Sequence, residues 1–190
     1  MKYLELALNK DIHKIGLKHI LRREFDAVAS DGYRLHRQVA LEQTVPHFIG
    51  STLSISEAPD YDLVLKEASN PDPLFDLKLD KETMQRVQTL VKLRKFGKPI
   101  ATFTAKNEKW LQIEIALKDM TISFPLEVKE TYKEFKADEL VFKVDFAFFI
   151  DALVAETNMQ VSLAKEHMIV IEHSSKGNNF QAIVMACRSN

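Results

Sequence analysis

"FDLKLDKETMQRVQTLV" at residues 75–91 and "LVFKVDFAFFIDALVAE" at residues 140–156 align as strand, aspartate and amphipathic helix, with Leu77-Lys78-Leu79-Asp80 over Phe142-Lys143-Val144-Asp145. An aspartate just ahead of a helix accepts hydrogen bonds from backbone N–H groups that lack a partner inside the helix, so both copies carry the same start signal. Met84, Val87 and Val91 share one helical face in the first copy, and Phe146, Phe149 and Leu153 share one in the second. Behind each helix comes the period-two alternation of half-buried strands. It runs through Leu111, Ile113, Ile115 and Leu117, then Met120, Ile122 and Phe124 in the first copy. In the second it runs through Met159, Val161 and Leu163, then residues 168–171 and 180–187. Each copy is therefore a strand, a helix and a meander. One such unit leaves an apolar sheet face bare, and two side by side, helices together, close a core. Residues 74–190 are expected to form one complete α+β domain of two half-units with antiparallel sheets.

Residues 1–58 have a different texture: a short apolar helix over residues 1–8, with Leu4 and Leu8 on one face, then strand-like runs around Ile20, Val28 and Val39. Between the two regions, residues 59–73, "PDYDLVLKEASNPDP", carry Pro59, Pro71 and Pro73 and read as a linker around one short strand.

The composition is that of a soluble globular chain able to bury a core: 190 residues, 46% hydrophobic and 28% charged. The net charge of −1 hides no basic module, since there are 8 basic and 7 acidic residues before Pro59 against 18 and 20 from there on. With one cysteine, Cys187, no signal segment and no apolar run of membrane-spanning length, a cytoplasmic protein is the expectation.

Three segments bring a family into view. "ASDGYRL" at residues 29–35 resembles the A-T-D-G-H-R-L turn of bacterial DNA polymerase sliding clamps, the beta subunit family. "APDYDLVLKE" at residues 58–67 is similar to their F-P-D-Y-x-x-V-L-P connection, and "FQAIVMACR" at residues 180–188 to their C-terminal V-V-M-P-M-R-L. They occur in the family's order, and "FAFFIDAL" at residues 146–153 stands where the family has Y-L-L-D-A-L. The resemblance implies a DNA-clamp-like fold and a shortened relative. "ALNKD" from Ala7 resembles the end of a domain's first helix, and only about twenty residues separate Leu35 from Ala58 where the family has a whole second half-unit. Residues 1–58 are thus expected to be one trimmed half-unit.

The resemblance also implies a peptide-binding groove. In the family the D-G-x-R-L segment and the C-terminal strand wall a groove for short apolar peptides of polymerases and clamp loaders. By matching positions, Ser30, Gly32, Tyr33, Arg34 and Leu35 line one side, Leu65 and Lys66 the floor, and Ile183, Val184, Met185 and Arg188 the other side. The residue types suit peptide capture, since glycine permits close backbone approach, methionine is an adaptable contact, and tyrosine with arginine is a common anchoring pair. Lys66 and Ala186 stand where the family has proline, and Ser189-Asn190 extend beyond its terminal leucine.

Duplex DNA is the second partner to weigh, because clamps present helices to the phosphate backbone without reading bases. Lys81, Gln85, Gln88, Lys92 and Lys95 fall at i, i+4, i+7, i+11 and i+14 and form one long polar-basic helical stripe. The second helix offers Ala147, Asp151 and Ala155 as its outer face and is unsuited to phosphate. Catalytic signatures are missing. There is no G-x-x-x-x-G-K-[ST], G-x-G-x-x-G or G-x-S-x-G, and His13, His19, His36, His47, His167, His173 and Cys187 show no metal-ligand spacing. The expectation is a non-enzymatic homo-oligomeric processivity factor needing no cofactor or metal, bound to duplex DNA and to clamp-binding peptides and not to membranes. The alternative is a peptide-binding adaptor or decoy of the replication machinery that encircles nothing.

Overall fold

The computed structural model describes residues 2–8, 17–39, 45–117, 119–175 and 178–187. Strands β1 (Leu21–Arg22), β2 (Asp26–Ser30), β3 (Arg34–Val39) and β4 (His47–Phe48) follow a short helix α1 (Lys2–Glu5). Helix α2 (Tyr61–Glu67) leads to β5 (Asp72–Leu77), α3 (Lys81–Leu90), a 3-10 turn (Val91–Phe96) and the meander β6 (Ile100–Asn107), β7 (Trp110–Leu117) and β8 (Met120–Glu127). After β9 (Glu130–Thr131) the pattern recurs as β10 (Glu139–Asp145), α4 (Phe146–Ala152), β11 (Met159–Ala164), β12 (Met168–Ser175) and β13 (Asn178–Met185).

The aspartates start their helices as the sequence requires. Asp80 accepts from the Thr83 amide at 2.6 Å and Asp145 from the Ala147 amide at 3.0 Å. The Thr83 bonds hold the Asp80 carboxyl below its ordinary range.

Two antiparallel sheets result. One has the order β4-β1-β2-β3-β13-β12-β11-β5-β9 and the other β10-β6-β7-β8. The repeated units exchange their lead strands: β5 of the first pairs with β11 of the second, and β10 of the second pairs with β6 of the first. Phe75, Val161, Ile171 and Val184 from the larger sheet and Phe103, Ile113, Ile115 and Phe142 from the smaller meet in one core. Met84 and Val87 of α3 and Phe146, Phe149 and Ile150 of α4 fill it. Phe103 packs its ring 4.5 Å from Phe142 and 4.8 Å from Phe149, within the range of favourable aromatic pairs. Contrary to expectation Ala147 faces inward at 1% exposure, so α4 is apolar on nearly all sides and has little outer face.

The segment read as a linker with a short strand contains helix α2 instead. Asp60 caps it by accepting from the Leu63 amide at 3.1 Å. Tyr61, Val64, Leu65 and Ala68 then fall at helical spacing and pack with Met168, Val170 and Ile183 on the outer face of the larger sheet. Arg23 clamps α2 to the N-terminal strands, contacting Asp26 with two nitrogens and Asp62 with one. Arg37 reaches the same Asp26 carboxylate at 2.6 Å. Burial raises the Asp26 carboxyl, and the Arg23 and Arg37 bonds outweigh it, holding it below the usual carboxylate range. On the inner face α1 lies over Ala27 and Ala29, and Tyr3 stacks on His36 at 4.4 Å.

Candidate functional site

The D-G-Y-R-L turn is fixed by its own polar side chains. Asp31 accepts from the Tyr33 and Arg34 amides at 3.0 and 3.1 Å, and Ser30 accepts from the Gly32 amide at 3.0 Å while donating to the Arg34 carbonyl at 2.6 Å. Gly32 sits at φ +93°, a region that a side chain would strain. From this turn β3 pairs antiparallel with β13, Leu35 opposite Ile183, and the Met185 amide donates to the Tyr33 carbonyl at 3.1 Å. Two segments from opposite ends of the sequence thus form one wall.

That wall and α2 enclose a cleft of about 400 Å³. Of the residues named from the sequence, Ser30, Gly32, Tyr33, Arg34, Leu35, Ile183 and Met185 line it. Leu17, Pro59, Asp60, Tyr61, Val64 and Met168 complete it and were missed. The helical spacing of Tyr61 and Val64 is the signal that could have found α2's contribution. Tyr33 and Met185 are exposed, at 58% and 39%, so the rim is apolar and open. Burial pushes the Tyr61 phenol up to about 12, and its hydroxyl has no partner among the described residues.

Three expected groove residues lie outside the cleft's lining. Val184 alternates away from Ile183 and is wholly buried in the inner core, since neighbours on a strand face opposite ways. Leu65 packs half-buried behind the cleft, and Lys66 is exposed on α2 outside its lining. Arg188 lies outside the described residues. Arg34 touches the cleft without forming a polar rim. Its guanidinium is buried, 3.1 Å from Asp31 and 2.6 Å from Asp151 of α4, donates to the Leu6 carbonyl and lies 4.5 Å over the Phe148 ring. It ties turn, α1 and α4 together.

The basic stripe is interrupted. Lys81, Gln85 and Gln88 are exposed on α3, while Lys92 and Lys95 are exposed on the 3-10 turn, whose tighter winding turns them off the α-helical line. Lys81 pairs with Glu156 at 3.2 Å. Even so, residues 80–98 keep Lys81, Arg86, Lys92, Arg94, Lys95 and Lys98 against Asp80 and Glu82. A larger open cavity, about 920 Å³, lies across β3, β13, β12, β11 and β5 with a mixed lining that includes Asp76, Lys78, Glu156 and Glu172. Its charged lining is net acidic, three carboxylates to one lysine, with Val39 and Phe180 as apolar contacts. Among the described residues no group of His, Cys, Asp or Glu side chains could hold a metal.

No protein-family model and no curated protein sequence matches the chain. Solved structures do. DNA polymerase III subunit beta from Borrelia burgdorferi superposes with a TM-score of 0.71 at 12% identity, over 100% of this chain and 60% of that one. The chain has the fold of a bacterial sliding clamp. The sliding clamp of Pseudomonas aeruginosa superposes at 0.68 with 14% identity over 99% of this chain and 64% of its own. The beta subunit from Thermotoga maritima gives 0.67 and 15% over 100% and 63%. The chain therefore spans under two thirds of the length of these clamps, and the clamp fold accounts for the exchanged lead strands and the sheet that continues from β3 into β13.

Proposed function

We propose that this chain is a clamp-fold peptide-binding protein of the DNA replication machinery, seating short apolar segments of polymerase or clamp-loader type in the cleft between the Asp31–Tyr33 turn, α2 and β13. The observation that carries the reading is the convergence of Gly32, Tyr33 and Leu35 with Ile183 and Met185 on one open apolar cleft. Apolar clefts with a few placed polar groups are where ligands of this size bind. Tyr33 and Met185 at the rim provide apolar contact. The function is binding without catalysis, and a cytoplasmic location goes with it.

A peptide with a glutamine followed by spaced leucine and phenylalanine should bind in the micromolar range, about −8 kcal/mol, in fluorescence anisotropy. Met185→Ala should weaken it by about 1–2 kcal/mol through lost apolar contact. Equal affinity of wild type and Met185→Ala would remove the cleft from the reading.

Weak duplex-DNA binding is a second reading, favoured by the exposed cations of residues 80–98. It would be sequence-independent, with each phosphate contact adding about 0.9 to the log–log salt slope. Replacing Lys81, Lys92 and Lys95 by glutamate should abolish it, and unchanged binding would reject this surface.

A further inference from the structure

The cleft between the turn, α2 and β13 has a mostly apolar lining, in which only Arg34 and Asp60 are charged at neutral pH. The two charges stand differently. Arg34 is buried and already answered by Asp31 at 3.1 Å and Asp151 at 2.6 Å. Asp60 is exposed at the start of α2. One of its oxygens accepts from the Leu63 amide at 3.1 Å, which anchors the side chain on the helix it caps and leaves the other oxygen to solvent. Among the described residues no cation pairs with it. The cations whose contacts place them around the cleft have partners of their own or stand off. Arg23 is held by Asp26 and Asp62, and Lys98, 6.0 Å from the Tyr33 ring, lies 3.8 Å from Asp145. Lys66 is in the last turn of α2, about 9 Å along the helix axis from Asp60. Glu57, three residues before Asp60, is exposed and accepts from the Ser54 amide at 2.7 Å, which adds a second carboxylate to this part of the chain.

We infer that Asp60 selects among the peptides that enter the cleft, favouring those with a lysine or arginine beside their apolar anchors and turning away those with a carboxylate there. The inference rests on the peptide-binding reading above and gives the partner a charge. A charge at the rim of an interface contributes little raw affinity, but it steers approach and suppresses like-charged partners. Asp60 is placed for that task, since it lines the cleft, is fixed by its own helix and keeps one oxygen open. The apolar wall of Leu35, Ile183 and Met185 takes any anchor of suitable size, so the carboxylate supplies the discrimination that this wall lacks.

Fluorescence anisotropy with two sets of labelled peptides tests this. All carry the same glutamine, leucine and phenylalanine. One set has lysine, alanine or glutamate directly before these residues, and the other has them directly after. In one of the sets the lysine peptide should bind about fivefold more tightly than the glutamate peptide at low ionic strength, with the alanine peptide between them. The gap should close at about 1 M salt, where charges are screened within about 3 Å. Asp60→Asn and Asp60→Ser both keep a good helix cap and remove the charge, so each should erase the ranking, with urea unfolding as the folding control. Equal binding of the lysine and glutamate peptides in both sets, or a ranking that survives both Asp60 variants, would overturn the inference even where Met185→Ala still weakens the alanine peptide. If Met185→Ala leaves the alanine peptide untouched, the cleft reading falls and the charge preference falls with it.

Discussion

Replacing Arg34 by alanine should destabilise the fold by about 3 kcal/mol. Its side chain, 7% exposed, answers Asp31 at 3.1 Å, Asp151 at 2.6 Å and the Leu6 carbonyl. Breaking a buried ion pair by deleting one partner costs about 3–5 kcal/mol, chiefly because the remaining charge is stranded. Two features place this case at the lower end. Asp151 is 23% exposed and regains some water, and Asp31 keeps the Tyr33 amide. The Leu6 carbonyl, on an exposed residue, also regains water and adds little. Arg34→Lys retains the charge without the fork that spans three acceptors and should lose about half as much. Urea unfolding followed by circular dichroism reads the effect as a lower midpoint at constant slope. A double-mutant cycle with Asp151→Ala should give a coupling of about 2 kcal/mol. A loss below about 1 kcal/mol for Arg34→Ala, or a coupling indistinguishable from zero, would refute the role of this side chain as a strut.

Acid should destabilise the α1 contact. Burial, opposed by the bond to the Tyr3 carbonyl and reinforced by Arg34 and His173, lowers His36 from 6.5 to about 4, and burial lowers His173 to about 4. The unfolded chain therefore takes up these protons first. Stability from keeping them neutral is complete above pH 6.5 and declines as pH falls towards 4, by roughly 2–3 kcal/mol for His36, and His36→Phe should remove that share of the slope in urea titrations at several pH values. Asp145→Ala, which frees the Ala147 amide at the start of α4, should cost about 1 kcal/mol in the same assay. Gly32→Val should weaken peptide binding more than Met185→Ala does, because a branched side chain at φ +93° forces the turn out of shape.

The repeat was legible because both aspartate-capped helices and both meanders carry their own periodicities. The convergence of the turn on the last strand was legible only through resemblance, since nothing local in "ASDGYRL" says what it pairs with. Strand alternation alone could have moved Val184 out of the groove, as Ile183 and Met185 share the opposite face. Helix α2 was hidden by its proline-rich flanks and short length, which left two turns of periodicity to set against an apolar run. The role of Arg34 was illegible, because the carboxylate it meets on α4 is distant in sequence and approaches only after folding. The stripe from Lys81 to Lys95 assumed one uniform helix, and the change of winding at Val91 is a tertiary effect, with the 3-10 turn packed against α4.

The exchange of lead strands sets the order in which the molecule can be made. Strand β5 leaves the ribosome well before β11, its neighbour, and β3 must wait for β13, with Leu35 meeting Ile183 only when almost all the described chain has been synthesised. Pairings so far apart in sequence are slow to close and leave strand edges open meanwhile. During translation β1 to β4 can pair early, but the smaller sheet is the first that can be completed, because β6, β7 and β8 are consecutive hairpins and β10 follows soon after. The nascent protein therefore carries an unfinished larger sheet until β13 arrives, and the cleft cannot exist before that strand does.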